Sequence, residues 1–406
     1  MALMISPPRA VPSPGILFAV PWRPRSFIGG VDHVVIDLLD QINRNGRYRS
    51  YVLVSGGPAD GPPVPKLDTE PFYLPFRDPV WPTNRIRSLV AFVVTLPWTW
   101  WRLRSIVREH SIRMVICEFP EDTCCLVVTL LKRLRLFRGQ VILRLHGADI
   151  FAANHSRGLK RFLYRLMYRT ADWVVACSSG LRDDVLRLDP RLEGRAIVIR
   201  HGFHIDEFRA AAAGYELPEA LRGRRFLLTI GRYEHKKGHD VLIAAFERIA
   251  GRFPDLLLVL VGAAGTGTEV VKKRVAESPV NSRILMFESL PNASMPVFLD
   301  AALIFVLASR REGFPVVLLE AGACGRPVVA TAAVGNVDTI RDGETGRLVP
   351  VDDTNALADA IADLVDDPET RERLAANLHR LIGEEFTWQR AYERFIRLDQ
   401  PGPPPV

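Results

Sequence analysis

Two glutamates of the segment EGFPVVLLEAGACGRPVVAT, Glu312 and Glu320, lie eight positions apart around a Gly-Phe-Pro turn. Pro315 suits the first position of a helix, because its fixed φ fits there and its missing N–H would have had no partner. The N–H groups of Gly313 and Phe314 would then favour an anion, and both carboxylates could hold hydroxyl groups. A pair of ordinary helix acids explains the pattern equally well at this point.

A second segment, LLTIGRYEHKKGHDVLIAAF, supplies cations. It predicts a strand that ends at Gly231, a loop with Arg232 and Lys237, and a helix after Gly238. In open α/β sheets ligands bind beyond the carboxyl ends of the strands. Arg holds phosphate oxygens with its fork and Lys acts as a point charge, so the loop predicts a diphosphate site that needs no metal ion. Lys236 is interpreted as a solvated residue.

The first half of the chain contributes two further loops. RLHGADIF ends a strand and presents His146 and Asp149, where an imidazole could hydrogen-bond a reacting sugar or acceptor. The alternative is a structural histidine, although Gly147 beside it permits close backbone approach. Gly29 and Gly30 open the first helix after a strand and suit a phosphate contact, which is a weak motif by itself.

Short β-branched runs alternate with helical patterns along nearly the whole chain. The predicted strands span residues 15–20, 51–55, 115–119, 141–146, 173–178, 197–200, 226–230, 256–261, 284–287, 304–307, 328–331 and 347–349. Alternation of this kind requires parallel sheets covered on both faces. The prediction is an α/β chain of two doubly wound, Rossmann-like domains facing across a cleft, with residues 55–84 as a long loop.

Domain limits follow from the place where the regular pattern lapses, near residues 208–225. We predict one domain over residues 1–205 and a second domain over residues 206–384.

The net charge of the chain is +7, and it is distributed unevenly between the two halves. Residues 1–205 contain 29 Lys and Arg against 17 Asp and Glu, whereas the remainder contains 24 against 29. The basic half suggests an anionic surface. Nucleic acid is disfavoured because no stacking aromatics interleave the basic patches. An anionic membrane face fits better, since residues 85–110 combine tryptophans with arginines as an interfacial helix does. A core role is nevertheless favoured for those tryptophans, Trp98, Trp100 and Trp101.

Cysteine usage and hydropathy predict a cytoplasmic protein. The five cysteines have no zinc-site spacing and are interpreted as buried free thiols. The most apolar run, residues 89–101, is too short to span a bilayer, and the N-terminus lacks a signal pattern. We therefore expect a cytoplasmic location, with peripheral attachment to the inner membrane face as an option.

Together these motifs resemble those of retaining glycosyltransferases of family 4, which have the two-domain GT-B fold. The resemblance covers nearly the whole chain and rests on GRYEHKKG, the paired glutamates, IRDGETGRLVP, the glycine pair and RLHGADI. It implies a metal-independent, retaining transfer of a sugar from a nucleotide donor to a hydroxyl, without a cofactor. In that fold residues 1–205 would bind the acceptor and residues 206–384 the nucleotide sugar, and a final helix over residues 385–400 would return to the first domain. Hinges near residues 205–225 and 380 would let the domains close and exclude water. The implied partners are a UDP- or GDP-sugar and a glycan or lipid-linked acceptor.

The resemblance also assigns roles to residues. Arg232 and Lys237 would bind the donor diphosphate, and Glu320 the ribose hydroxyls. The donor sugar would be held by Glu312 with the backbone of Gly313 and Phe314, beside Pro315, with His146 over the sugar and Gly30 at phosphate or acceptor. His146, Glu312, Arg232 and Lys237 are the predicted catalytic group.

Two departures and two alternatives accompany this prediction. His201 and His204 stand where the family often has Asn and Asp, and Asp338 stands where Glu is usual. A sugar-nucleotide epimerase or glycogen-type synthase on a similar frame is one alternative, although an epimerase needs catalytic acids in the first domain that the sequence does not reveal. A catalytically silent nucleotide-binding partner is the other.

Overall fold

The structure is a computed structural model that describes residues 13–20, 30–55, 71–74, 85–120 and 123–400. Within these ranges the chain divides by its own contacts into two compact units. The first unit comprises Met1–Ala176, Arg182–Ile199 and Tyr392–Val406, and the second comprises Cys177–Leu181 and Arg200–Ala391. The domain limits predicted from the sequence, near residues 205 and 385, stay predictions.

The first unit is built on a parallel sheet of seven strands in the order β3-β2-β1-β4-β5-β6-β7. Its strands are β1 (Gly15–Val20), β2 (Arg49–Ser55), β3 (Phe72–Leu74), β4 (Ile112–Glu118), β5 (Gln140–Leu145), β6 (Trp173–Ala176) and β7 (Ala196–Val198). The helices in this part of the chain are α1 (Gly30–Asn45), α2 (Arg85–Glu109), α3 (Thr123–Arg133), α4 (Ala148–His155), α5 (Gly158–Thr170) and α6 (Ser179–Leu188). The central strands are apolar runs buried on both faces, as in other parallel sheets.

The second unit has a parallel sheet of six strands in the order β10-β9-β8-β11-β12-β13. These are β8 (Phe226–Ile230), β9 (Leu257–Gly262), β10 (Ile284–Glu288), β11 (Ile304–Leu307), β12 (Val328–Thr331) and β13 (Arg347–Val349). The remaining helices are α7 (Ile205–Ala210), α8 (His239–Ile249), α9 (Thr268–Ala276), α10 (Met295–Ala301), α11 (Val316–Ala323), α12 (Thr354–Asp366), α13 (Pro368–Glu385) and α14 (Trp388–Arg397). Order reversal beside the first strand of each sheet makes both units doubly wound, which confirms the predicted fold class.

Two sequence-based expectations need correction here, and a third is confirmed. Residues 72–74 form an edge strand inside the predicted loop, because three residues are enough to pair with β2 even in a Pro- and Gly-rich segment. Trp98 and Trp101 are exposed rather than in the core, since the opposite face of α2 carries the buried Leu103 and Ile106. The five cysteines are buried free thiols, as predicted.

Candidate functional site

The loop that follows β8 is held rigidly by a buried tyrosine. Tyr233 is fully buried, and its hydroxyl donates to one of two backbone carbonyls, those of Leu260 and Phe287, each 3.1 Å away. Its backbone N–H donates to Ala263 and its carbonyl accepts from Gly267. The loop after β8 is thereby tied to the loop after β9, and the residues flanking Tyr233 have little freedom.

Gly238 fixes the far end of the same loop. It adopts a left-handed conformation with φ +65°, and an added Cβ would lie 2.0 Å from the carbonyl oxygen of Ala308. Only glycine satisfies both conditions. The turn that carries Lys237 therefore packs directly against the end of β11, where the chain continues toward Glu312.

Arg310, a residue that the sequence analysis did not single out, clamps these two loops together. Its guanidinium binds both carboxylate oxygens of Asp240 at 2.9 and 2.8 Å and donates to the carbonyl of His235. Its backbone N–H donates to Lys236. A bidentate arginine fixes orientation as well as distance, so the loops after β8 and β11 form one surface.

The centre of this surface is an ion pair between two predicted site residues. The ammonium of Lys237 lies 2.7 Å from Oε1 of Glu312, and the hydroxyl of Ser309 donates to the same oxygen at 2.6 Å. The lysine and glutamate side chains are 16% and 9% exposed. The sequence prediction placed both residues at one site, and the structure brings them into contact.

Ser309, which hydrogen-bonds Glu312, belongs to a buried polar network. Thr331 donates its hydroxyl to the Ser309 carbonyl, and the amide of Asn336 donates to the Thr331 carbonyl at 2.9 Å. Among the described groups, Asn336 Oδ1 and Thr339 Oγ1 have no hydrogen-bond partner. This network was not predicted. Its signal in the sequence was a hydroxyl residue after β11, Ser309, with a hydroxyl residue at the end of β12, Thr331, and an amide residue after it, Asn336.

The turn before α11 differs by one position from the prediction. Pro315 is the N-cap and not the first helical residue, because its ψ of 96° is extended and its carbonyl accepts the first helical bond from Leu318. The N–H groups of Val316 and Val317 precede that bond and have the anion-binding character of a helix start. The ring of Phe314 is buried against His201 and Phe386.

Glu320 lies in the second turn of α11 and is half-buried. Burial raises the pKa of its carboxyl to about 7, and nearby Lys237 opposes that shift. A carboxyl of this kind is partly protonated at neutral pH and would gain from hydroxyl partners that stabilise its ionised form. The cluster formed by Lys237, Glu312 and Glu320 is called the donor cluster below.

Arg232 is the most accessible of the predicted ligands in the second unit. Its side chain is 57% exposed and lies 3.2 Å from Oε1 of Glu234, whose other oxygen lies 2.9 Å from Lys236. Burial raises the pKa of Glu234, but Lys236 and Arg232 outweigh it and hold that pKa below its usual value. Both cations are positioned by one loop carboxylate and remain open to solvent.

His146, in the first unit, has partners that the sequence analysis did not identify. Its Nε2 lies 2.6 Å from Oε2 of Glu118, and the guanidinium of Arg144 lies 3.0 Å from the other oxygen. All three side chains are at most 1% exposed. The signal in the sequence was an isolated charge near the end of each of two apolar strands, CEFP and LRLHG. We call these three residues the histidine cluster.

Asp149 shapes the backbone around His146. It is fully buried, and its carboxylate accepts from the N–H groups of His146, Gly147 and Ile150. Burial raises its pKa against the opposing effect of these hydrogen bonds and of His146. Asp149 thus has a structural task within the loop. Gly30 begins α1, as predicted, while its neighbour Gly29 lies outside the described residues.

Asp338, one of the departures noted in the sequence, is held entirely inside the second unit. Its carboxylate accepts from the backbone N–H and hydroxyl of Ser179 and from Arg200, and its side chain is 1% exposed. Those bonds use the acceptor positions that a ligand would need. Of the two histidines, His201 packs its edge on Phe314, and His204 is the N-cap of α7.

Within the ranges that the structure describes, no group of three or more His, Cys, Asp or Glu side chains could hold a metal ion. No helix in the same ranges has the length and apolar character needed to cross a membrane.

Comparison with known families matches both halves of the chain. Residues 28–207 match the model described as Glycosyltransferase Family 4, and residues 218–380 match that of Glycosyl transferases group 1. The α-maltose-1-phosphate synthase of Mycolicibacterium smegmatis is 35% identical over 257 residues, which cover 58% of this chain and 64% of the relative. This chain therefore spans slightly less than two thirds of that relative.

Two other proteins share more of the chain's length. An uncharacterized glycosyltransferase of Methanocaldococcus jannaschii is 26% identical over 71% of this chain and 75% of its own. The crystal structure of Anabaena HepE in complex with UDP superposes with a TM-score of 0.72 at 19% identity, covering 94% of this chain and 98% of that one. At this identity the structural match shows the fold alone.

Proposed function

The chain belongs to the family 4 glycosyltransferases, and from that premise we propose that it transfers a sugar from a nucleotide-sugar donor to an acceptor hydroxyl. The observation that carries the proposal is the contact between Lys237 and Glu312, 2.7 Å apart at the carboxyl ends of the second sheet. A cation for phosphate and a carboxylate for sugar hydroxyls lie side by side beyond β8 and β11. Glu320 stands in the second turn of the adjacent helix.

Each residue of the donor cluster has a part in this proposal. Lys237 and the exposed Arg232 neutralise the diphosphate, and the charge that grows on it as the bond to the sugar breaks. Glu320 accepts hydrogen bonds from the ribose, and Glu312 holds the sugar with the backbone of Gly313. These cations carry out the charge compensation, so we propose a reaction that is independent of a bound metal.

We further propose retention at the anomeric carbon, with attack from the face that the diphosphate leaves. In the second unit Glu312, the carboxylate beside the predicted sugar site, is engaged at one oxygen, Oε1, by Lys237 and Ser309, which disfavours it as a nucleophile. His146 acts in this scheme on the transferred sugar or the acceptor. Proton NMR of the product formed from an α-linked donor tests the stereochemistry, and a β-linked product would contradict retention.

The donor is proposed to be a uridine or guanosine diphosphate sugar. The HepE structures with UDP and with UDP-glucose make UDP-glucose the first probe. Thermal unfolding of the full chain with UDP, GDP and ADP identifies the base, and release of the nucleoside diphosphate from the matching sugar measures turnover. Absence of stabilisation by all three would contradict the proposal.

Site variants separate binding from transfer. Glu320→Ala should weaken nucleotide binding, whereas His146→Ala should slow transfer and leave nucleotide binding at the parent level. Transfer at the parent rate by both variants would show that the site is assigned wrongly. The hinge prediction is tested with the same donor by scattering, which should show a more compact envelope when nucleotide is bound.

The epimerase alternative requires a catalytic acid in the first unit. Glu118 and Asp149 are the described acids beside His146, and Asp149 is engaged by three backbone N–H groups. Burial raises the pKa of Glu118, but Arg144 and His146 outweigh burial and hold that pKa below its usual value. A carboxylate in that state lacks the proton that a general acid donates. This observation favours the transferase over the epimerase.

We also propose that the enzyme works at an anionic membrane surface, on the cytoplasmic side that its buried free thiols favour. Val94, Trp98 and Trp101 of α2 recur at helical spacing and are 70%, 50% and 60% exposed. Exposed Arg104 and Arg108 extend the same helix. Aromatic and aliphatic side chains beside cations suit the interface of anionic lipids, where a glycan or lipid-linked acceptor would be reached.

Vesicle sedimentation tests this surface. The parent should bind vesicles with phosphatidylglycerol more strongly than vesicles of phosphatidylcholine alone, and Trp98→Ala with Trp101→Ala should lower binding about tenfold or more. Tyr215→Ala with Val270→Ala removes exposed apolar groups from the second unit and serves as the matched control. Equal binding by both double variants would contradict the proposal.

A further inference from the structure

The histidine cluster begins with a cross-strand ion pair in the centre of the first sheet. Glu118 at the end of β4 and Arg144 on β5 are register partners. Their side chains are 0% and 1% exposed, and the guanidinium contacts Oε1 at 3.0 Å. A buried ion pair is weak evidence for stability, because desolvation offsets most of its attraction. Its presence therefore calls for another role.

That role is suggested by the second oxygen of Glu118. Oε2 lies 2.6 Å from Nε2 of His146. The pKa of Glu118 is held below its usual value, since Arg144 and His146 outweigh the effect of burial. An ionised carboxylate only accepts hydrogen bonds, so the hydrogen in this contact must reside on Nε2. In the neutral ring Nδ1 is then the nitrogen that carries no hydrogen and can accept a hydrogen bond.

Neighbouring groups hold the arrangement in place. The ring of Phe395 on α14 covers the Arg144 guanidinium at 5.3 Å, and the ring of Phe119 lies 4.5 Å from that of His146. Asp149 is the other carboxylate near the imidazole, and it is engaged by three backbone N–H groups. Among the described residues of the first unit, Glu118, Arg144 and Asp149 are the charged groups that these contacts place around His146, and each has a defined partner.

We propose that Glu118, held by Arg144, is a positioning residue that fixes the tautomer of His146 and makes its Nδ1 a better hydrogen-bond acceptor for a sugar hydroxyl. The inference rests on the proposed function, because it assumes that His146 acts on a sugar. A carboxylate behind an imidazole plays the corresponding part in serine hydrolases, where it holds the ring in the correct tautomer. Here Arg144 keeps that carboxylate ionised and oriented.

The first experiment observes the ring itself. In protein labelled with ¹⁵N-histidine, the His146 resonance, assigned by its loss in His146→Ala, should show a deshielded, slowly exchanging proton on Nε2. Glu118→Met with Arg144→Met removes the acceptor without leaving an unpaired charge and should abolish that proton signal. Arg169→Met with Asp189→Asn, a pair in the same unit, is the control that should leave it unchanged. A proton on Nδ1, or an unchanged signal in the first double variant, would overturn the inference.

The second experiment asks whether Glu118 acts through His146. With UDP-glucose, or whichever donor is turned over, the Glu118 and Arg144 double variant should lower kcat about 10- to 100-fold with the donor KM unchanged. The same pair of changes in the His146→Ala background should cost less than about twofold. Equal losses in both backgrounds would indicate a merely structural pair and overturn the inference.

The two proposals fail in different ways. If His146→Ala transfers sugar at the parent rate, the assignment of His146 in the proposed function is wrong and the inference falls with it. If His146→Ala is slow while the Nε2 proton survives the loss of Glu118, only the inference falls. Nucleotide affinity, which depends on the donor cluster, verifies in each variant that the second unit is intact.

Discussion

The donor cluster and the histidine cluster use the same kinds of residues in opposite ways. In the donor cluster the side chain of Lys237 is 16% exposed, and that of the neighbouring Arg232 is 57% exposed. In the histidine cluster no side chain exceeds 1%. The first cluster keeps hydrogen-bonding capacity for a ligand, whereas the second uses its charges on one another and delivers a single oriented imidazole.

The elements that build the two clusters differ accordingly. Lys237 and Glu312 of the donor cluster lie on short loops that Tyr233, Gly238 and Arg310 hold together, and Glu320 lies on α11. Each of the three therefore belongs to a local sequence motif. The histidine cluster joins adjacent strands, and its ion pair is 26 residues apart in sequence. Removing a charge should therefore damage ligand binding in the first cluster and folding in the second.

The largest expected effect is on the stability of the first unit. Arg144→Met leaves the Glu118 carboxylate buried without its cation and should lower the free energy of unfolding by about 3–5 kcal/mol. Glu118→Met with Arg144→Met should recover to within about 1 kcal/mol of the parent. Urea unfolding followed by tryptophan fluorescence measures this, because six of the seven tryptophans lie in the first unit. Equal losses of stability in the single and double variants would contradict the view that an unpaired buried charge is what destabilises the first unit.

The next effect is on ligand affinity in the second unit. Lys237→Met removes a charge-assisted partner of the diphosphate and should weaken UDP binding by about 2–3 kcal/mol, roughly 30- to 150-fold. Lys236→Met, whose ammonium is 57% exposed and pairs with Glu234, is the matched control and should change affinity little. Calorimetric titration measures both. A similar loss in the two variants would mean that the ion pair with Glu312 does not mark the phosphate site.

A pH dependence distinguishes Glu320 from the ionised Glu118. The folded-state pKa of Glu320, about 7, lies above its unfolded value of 4.5. Its contribution to stability is therefore complete below about pH 4.5 and is lost as pH rises through 7. Glu320→Gln should remove this dependence and be more stable than the parent by about 3 kcal/mol at pH 8.

Differential scanning calorimetry of the unliganded proteins at pH 5 and pH 8 measures this difference. UDP binding by the parent should weaken as pH falls below 7, because protonation removes an acceptor for the ribose. If the difference in stability between the parent and Glu320→Gln is the same at pH 5 and at pH 8, the Glu320 carboxyl titrates normally.

The sequence predicted the fold well because its signals are local. Buried parallel strands are continuous apolar runs, and most predicted strands overlap the observed ones to within three residues. The edge strand β3 escaped because Phe72–Leu74 is too short to show a period among prolines and glycines. Pro315 was predicted at the first helical position and is the N-cap, one residue earlier, because the limits of a helix are uncertain by one or two residues at each end.

The site residues could be predicted from the sequence only where each lies at the end of a strand or the start of a helix. Lys237, Glu312 and Glu320 are near strand ends or a helix start, so their proximity follows from topology. Glu118 and Arg144 were missed because their pairing depends on the register between two strands, which a single sequence does not specify. Ser309, Thr331 and Asn336 were missed for the same reason, since they become a network only when β11 and β12 are neighbours.

The smallest effect concerns the C-terminal segment that steadies the histidine cluster. Tyr48 donates its hydroxyl to Asp399 at 2.7 Å, and burial together with that carboxylate raises the pKa of Tyr48 to about 12. Tyr48→Phe should lower the free energy of unfolding by about 1 kcal/mol, whereas Tyr215→Phe, which is exposed, should have no measurable effect. Because α14 carries Phe395 over Arg144, the Tyr48 variant should also speed hydrogen exchange of the His146 Nε2 proton. Exchange at the parent rate would mean that Glu118 and Arg144 hold the imidazole without help from the C-terminal helix.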